Sequence, residues 1–225
     1  MSKCEQCISR QLNSMKTLTT EELRQVSACK STRFYKKGDV IFDEGESLNG
    51  IFCVRSGVAK LTKLSANGKD HTVKLLGKGE LLGQRSVISD ERTNLSAVAI
   101  NDIELCYVPK DQLLTHIQGN NAFSLDILRN LATDLRGAED DLINMAQKSV
   151  KQRLTEVLIY VQNTFGHDSE GYLSLVLSRE EYASIVGTAT ESAIRILSQF
   201  KKDGLISTTG KQIKIENLEG LKRIG

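Results

Sequence analysis

Apolar residues are spaced in two ways along this chain, and the change from one to the other divides it. Between residues 32 and 109, short apolar segments are cut by single glycines: Gly38, Gly45, Gly50, Gly57, Gly68, Gly77, Gly79 and Gly83. Such spacing predicts short strands folded into a barrel or sandwich. The clearest strands are 40–42, 51–55, 58–64, 71–76, 95–100 and 103–108. Asn67-Gly68, set between two of them, is a hairpin-turn dipeptide because both residues tolerate positive φ.

From residue 121 the period becomes helical. Leu128, Leu131, Leu135, Ala138, Leu142 and Met145 follow alternating steps of three and four. So narrow a seam suits a second copy of the same helix, whereas packing on the chain's own barrel calls for a wider stripe. Residues 148–165 make a second amphipathic helix with Gly166 as its C-cap, and 173–177 reads as a short strand. Ser178-Arg179-Glu180-Glu181 is a capping box that opens a helix running to about Val186. Gly187 ends it in left-handed backbone, and Thr188 caps a further helix with apolar positions Ala189, Ala193, Ile196, Leu197 and Phe200. Ala183, small and four residues before Gly187, allows these two helices to cross closely. Leu205-Ile206 and 213–215, joined through Thr208-Thr209-Gly210-Lys211, read as a β-hairpin. Three segments result: 1–118, an N-terminal arm with a β-domain; 119–147, a dimerisation helix; and 148–225, a winged helix-turn-helix.

Composition adds bounds. Forty per cent hydrophobic and 26% charged residues is ordinary for a globular protein, and no apolar run approaches the ~20 residues of a membrane span. The N-terminus carries no apolar signal core, so a cytoplasmic protein with no membrane partner is expected. In that compartment an odd set of five cysteines does not make a disulfide framework. A formal net charge of +2 advertises no global basic field for nucleic acid.

The chemistry therefore has to come from position. Two helices joined by so short a turn must cross steeply, which is the helix-turn-helix arrangement whose second helix enters the major groove. Off its apolar stripe, near its start, stand Thr190, Glu191, Ile194 and Arg195. Arg195 can donate two parallel hydrogen bonds to guanine O6 and N7, and Glu191 can accept from cytosine N4. Ser178 and Thr188 at the two helix starts and Lys211 at the hairpin tip suit backbone and phosphate contacts. Glu191 has two other readings: completion of a capping box with Thr188, or an i,i+4 pair with Arg195. No nucleophile elbow, phosphate loop or metallohydrolase spacing points to an enzyme. The rival of another class is a regulatory subunit that binds a small ligand and another protein, without DNA.

The stretches KKGDVIFDEGESLNGIFCVRSGVAKL and LSREEYASIVGTATESAIRILSQFKKDGLI, with the long helix between them, make the whole chain recognisable. It resembles the Crp/Fnr superfamily, whose members include the cyclic-AMP receptor protein and the fumarate and nitrate reduction regulator. The resemblance implies an α+β fold: a cyclic-nucleotide-binding-like β-barrel of the double-stranded β-helix or jelly-roll kind, a dimerisation helix and a C-terminal winged helix-turn-helix. It also implies a homodimeric transcription regulator on palindromic duplex DNA, working with RNA polymerase. The family reads a G·C pair with a Glu and an Arg four positions apart, matched here by Glu191 and Arg195. Thr190 and Ile194 depart from the residues those two members carry, which leaves the half-site open.

For the effector, the family's cyclic-nucleotide pocket uses a Gly-Glu pair on the ribose and an Arg-Ser or Arg-Thr pair on the phosphate. In GELLGQRSVISDERTNLSAVA, aligned through Gly83 and residues 96–100, Gln84 replaces the Glu, and Thr93-Asn94 replaces the second pair. Arg92 falls one residue early, which on a strand turns a side chain to the other face. A buried phosphate without its guanidinium is strongly disfavoured, so cyclic AMP is not the expected effector. Arg85 and Arg92 either serve another anion or stay solvated. The candidate effector pocket is thus Gly83, Gln84, Arg85, Arg92, Thr93 and Asn94.

The cysteines suggest an oxygen or redox sensor instead. The fumarate and nitrate regulator holds a [4Fe-4S] cluster on an N-terminal C-x2-C-x5-C run and one barrel cysteine; Cys4, Cys7 and Cys106 match three of these, and Asn13 takes the remaining place. Four thiolates then require displacement of Cys29 or an external ligand. A redox pair of exposed thiols at Cys4 and Cys7 and a cluster-free arm are the alternatives, with Cys53 and Cys106 read as small core hydrophobes. A zinc site is not expected, since His71, His116 and His167 are scattered. The cofactor stays open and no metal is assigned.

Overall fold

A computed structural model describes residues 4–65, 68 and 70–225, so Asn67 of the expected hairpin turn lies outside the described residues. The chain forms two compact units, Met1–Leu64 with Val73–Gly137 and Ser65–Thr72 with Ala138–Gly225. The division falls inside the long helix, where sequence reading set 119–147 apart as a segment of its own.

Among the described residues eight strands build the β-domain: β1 (Ser31–Tyr35), β2 (Val40–Phe42), β3 (Gly50–Ser56), β4 (Ala59–Leu64), β5 (Asp70–Leu76), β6 (Leu81–Leu82), β7 (Ser96–Ala99) and β8 (Ile103–Pro109). They form two four-stranded antiparallel sheets, ordered β1-β8-β3-β6 and β2-β7-β4-β5. The sheets share a core that includes Phe42, Phe52, Val54, Ala59, Leu76, Leu82, Ala97 and Leu105. The result is a jelly-roll sandwich whose sheet edges, among the described residues, do not join into a closed barrel.

The sheet containing β3 is covered on its other face too. Ile51 and Val108, directly opposed across β3 and β8, pack with Met15, Leu18, Leu23, Val26, Leu113, Phe123 and Ile127. Those residues come from a short 3-10 arm (Cys4–Gln6, Ile8–Leu12, Ser14–Thr17) and from α1 (Thr20–Cys29), α3 (Lys110–Gly119) and α4 (Asn121–Gln147). Burial on both faces is why the first five residues of β3 read as one apolar run rather than an alternation. A capping box between Thr19 and Glu22 starts α1. The short helix α2 (Gln84–Ser89) starts at Gly83, whose φ of +82° favours glycine.

The second unit holds α5 (Val150–Phe165), α6 (Arg179–Val186), α7 (Thr190–Lys202), the hairpin β9 (Ile206–Thr209) and β10 (Gln212–Ile215), and α8 (Leu218–Lys222). Leu154, Leu158, Val161, Tyr182, Val186, Ala193, Leu197, Phe200, Ile206, Ile213 and Leu221 are all buried. The segment expected as a strand at 173–177 is not one. Leu173, Leu175 and Leu177 alternate inward as in a strand, but among the described residues only the isolated bridges His167↔Leu173 and Tyr172↔Lys214 form. Side-chain alternation survived there without a ladder partner.

Candidate nucleic-acid interface and thiol-lined cavity

The helix pair α6 and α7 is assembled as its sequence demands. Ser178 Oγ accepts from the Glu181 amide at 3.1 Å, and the Glu181 carboxylate accepts from the Ser178 amide at 2.5 Å. Gly187 closes α6 with φ +65° and ψ +52°. Ala183 is buried and its carbonyl takes the amides of both Gly187 and Thr188, so the turn stays tight. One expectation needs correction: Thr188 does not cap α7. Ala189 occupies the cap position in extended backbone with no side-chain cap bond, because the turn uses one residue more than a Thr188 cap allows. The capping-box reading of Glu191 with Thr188 falls with it.

On α7 the buried stripe is Ala193, Leu197 and Phe200. Glu191, Ile194 and Arg195 are exposed on the other side, and Thr190 is half-buried. Among the described residues no hydrogen bond or ion pair involves Glu191 or Arg195, so the i,i+4 pairing between them is not formed either. Beside them the β9–β10 hairpin turns through Gly210, φ +58°, and Lys211. Positive φ at the first of two turn residues is the II′ pattern that glycine serves best. Lys211 stands exposed at its tip.

Two arginines that sequence reading passed over hold this surface in shape. Arg153 on α5 donates from Nε to the Val186 carbonyl at 3.0 Å and from Nη1 to the Lys148 carbonyl at 2.7 Å, which satisfies the C-terminal end of α6. Arg179 donates from Nη2 to the Gly210 carbonyl at 3.4 Å, and the Tyr172 and Thr209 hydroxyls lie 2.9 Å apart. No local pattern announces such roles, since the Val186 and Gly210 carbonyls lie 33 and 31 residues away in sequence.

The expected seam on α4 is divided by the structure. Leu128, Leu135 and Leu142 remain 61%, 62% and 71% exposed, and Ala138 is exposed with them. Leu131 instead packs against the chain's own core. Met145 lies where a Cβ on Gly187 would meet its sulfur at 3.4 Å.

In the β-domain, two of the residues aligned with a cyclic-nucleotide pocket, Arg92 and Thr93, are engaged with the neighbouring 43–46 loop. Thr93 is buried; its hydroxyl donates to the Asp43 carbonyl at 2.5 Å and accepts from the Glu46 amide at 3.1 Å. Arg92 is exposed and donates to the Gly45 carbonyl at 3.0 Å. The Asn94 carbonyl accepts from Lys63 Nζ at 3.2 Å. Gln84 is half-buried and Arg85 exposed at the start of α2, just after Gly83.

A cavity lies on the other face of the β3 sheet, under the N-terminal arm. Cys4, Cys7, Cys53 and Cys106 line it together with Arg10, Met15, Lys30, Arg55 and Val108, and its empty volume, mouth included, is about 330 Å³. Cys53 and Cys106 are buried among the core hydrophobes, as expected, and also line the cavity, whereas Cys29 is exposed and does not. Exposure at the arm is also less than a redox pair was expected to have: Cys4 is buried and Cys7 half-buried. Asn13 is a buried hub. Its amide donates to the Gly79 carbonyl at 2.8 Å, the Ser9 carbonyl at 3.3 Å and the Cys53 sulfur at 3.3 Å. Burial, followed by the nearby Cys106 and Cys7, pushes the Cys53 thiol up to about 12. Burial also raises the Cys106 thiol, while the charges of Lys30 and Arg55 pull it back.

Comparison with known proteins accounts for both units. The cyclic nucleotide-binding domain family matches residues 32–120 and the Crp-like helix-turn-helix domain family matches 152–224. The chain is 26% identical over 191 residues to the CRP-like cAMP-activated global transcriptional regulator of Mycobacterium tuberculosis, covering 84% of this chain and 85% of that one. It is 28% identical over 194 residues to the anaerobic regulatory protein of Bacillus subtilis, with 84% and 82% covered. The solved structure of FixK2 from Bradyrhizobium japonicum shares the fold at a TM-score of 0.78, with 23% identity over 87% of this chain and 96% of that one.

Proposed function

We propose that this chain, which belongs to the Crp/Fnr superfamily of transcription regulators, works in the cytoplasm as a homodimer. In this reading it binds a palindromic duplex site and presents α7 to one major groove in each half-site. The observation that carries the proposal is the exposed Glu191, Ile194 and Arg195 on the side of α7 opposite its buried stripe, with no internal partner for either charge among the described residues. Charged groups left free on a rigid helix are available for base edges. Arg195 reads a guanine, Glu191 the paired cytosine, and Thr190 and Ile194 shape the neighbouring contacts. Ser178, Thr188 and Lys211 hold the phosphate backbone. The exposed leucines of α4 are covered by the same helix of the second protomer, which sets the half-sites about one helical turn apart. A regulator of this kind acts on RNA polymerase at promoters and catalyses nothing itself.

The effector is not cyclic AMP in this reading, since Arg92 and Thr93, which stand nearest the place of the family's phosphate-holding pair, are spent on the 43–46 loop. The test of the whole proposal is selection of binding sites from random duplexes. The wild type returns a palindrome, and Arg195→Ala loses about 1–3 kcal/mol on it and relaxes one base pair per half-site, while Lys211→Ala weakens all sequences alike. A motif unchanged by Arg195→Ala overturns base reading by that residue. Absence of duplex binding at low salt favours the protein-binding subunit.

A further inference from the structure

Of the three histidines only His116 is buried, at 3% exposure, and it stands where three helices meet. It belongs to α3, its ring makes a T-shaped contact with Phe123 of α4 at 6.5 Å between centroids, and its Nδ1 faces Glu22 Oε1 of α1 at 4.0 Å. The other carboxylate oxygen of Glu22 ties the corner together. It accepts from the Thr19 amide at 2.7 Å and the Thr19 hydroxyl at 2.9 Å, and from Asn120 Nδ2 at 2.8 Å. Asn120 Oδ1 accepts in turn from the Phe123 amide at 3.0 Å, one of the donors that the first turn of α4 leaves over. The start of α1 and the start of α4 are thus joined through one carboxylate, and His116 faces its free oxygen.

This corner fits a neutral ring and not a charged one. With the single ring proton on Nδ1, toward Glu22, Nε2 needs no donor function. A second proton has to sit on Nε2, which is buried without a hydrogen-bond partner among the described residues, and a buried donor without an acceptor is strongly disfavoured. Burial accordingly holds the ring's pKa below its ordinary 6.5, although Glu22 pulls the other way. The remaining charges on the packed elements are engaged elsewhere: Glu21 with Arg24 on α1, Asp126 of α4 with Lys16 of the arm, Lys110 of α3 with Asp90, and Arg55 of β3 with Glu104 of β8. Asp111 of α3 and Arg129 of α4 are exposed, and Lys30 lines the thiol cavity.

We propose that His116 is the proton-sensing pin of the α1–α3–α4 corner: the neutral ring keeps α1 and the arm docked on the start of α4, and its protonation favours an opened corner in which they part. The opened state exposes the ring to water and takes up the proton at the ordinary value, so acid draws the equilibrium toward it. One proton changes that equilibrium by at most about tenfold per pH unit. The inference concerns the β-domain and its helices alone and stands or falls separately from DNA reading by α7.

The experiment is hydrogen–deuterium exchange of the full chain between pH 8 and pH 5, with labelling times scaled for the pH dependence of intrinsic exchange. In peptides spanning 20–29 and 113–124, opening is expected to grow below about pH 6.5, by up to about tenfold per pH unit, while peptides of α6 and α7 keep a constant opening. His116→Gln, neutral throughout, is expected to remove that growth. Should circular dichroism show His116→Gln unfolded, His116→Phe, which keeps a ring beside Phe123, takes its place. A nuclear magnetic resonance titration of the wild-type ring is expected to give a midpoint below 6.5. Growth of the same size in α6 and α7, growth that persists in the folded variant, or a ring titrating at or above 6.5 overturns the proposal.

Discussion

Truncating Leu135 to alanine should weaken the proposed dimer without touching the protomer. Leu135 is 62% exposed in the single chain, and full burial of a leucine side chain is worth ~1.5–3 kcal/mol. Covering the remainder at a twofold interface therefore contributes about 1–2 kcal/mol per copy, and the residue counts twice. Leu135→Ala should cost the dimer about 4 kcal/mol at most and about 2 at least, or roughly 30- to 700-fold in its dissociation constant. Leu131, one turn earlier, supplies the control. It faces the chain's own core, so Leu131→Ala should lower Tm and leave the dimer constant unchanged. Sedimentation across a concentration series measures the first quantity and calorimetric melting the second. A Leu135→Ala protein that dimerises like the wild type, beside a Leu131→Ala protein that dissociates, would show that the second copy sits on a different face of α4.

Three further outcomes follow from other parts of the structure. Gly187→Ala places a Cβ in left-handed backbone at φ +65° with only ordinary contacts around it, so the loss should be the backbone cost of ~1–2 kcal/mol, seen as a lower Tm together with weaker DNA binding. Isothermal calorimetry with cyclic AMP should give no heat at micromolar concentration; a clear isotherm would mean that Arg92 or Arg85 reaches the phosphate after all. His116 is held below its ordinary 6.5 by burial, against the pull of Glu22 4.0 Å away. The unfolded chain then takes up the proton first, so stability is full above about pH 6.5 and drains as pH falls through the lowered value. Denaturant melts at pH 7.5 and 5.5 should show that slope, and His116→Gln should flatten it.

What the chain determined by itself was everything with a local cause. Residues 178–187 carry their own cap, period and left-handed stop, so α6 and its turn were readable from ten residues. The β3 and β8 strands were readable from apolar runs between glycines. Elements with weak local signatures were not: β1 is a half-exposed edge strand with a mixed pattern, and α2 spans six residues, too few for a helical period. Thr188 looked like a cap because its residue type suits one, but the length of the turn put Ala189 there. The alternating leucines of 173–177 gave their burial but not their pairing. The seam of α4 was visible as a periodicity, while only packing could say that Leu131 turns inward and Leu135 does not. The thiol cavity depended on tertiary structure most of all. Cys53 lies 40 residues from Asn13, which hydrogen-bonds to it, and shares no spacing motif with Cys4 and Cys7. Strand register decides which face each cysteine takes, and register across distant strands is a long-range property that no short window of sequence contains.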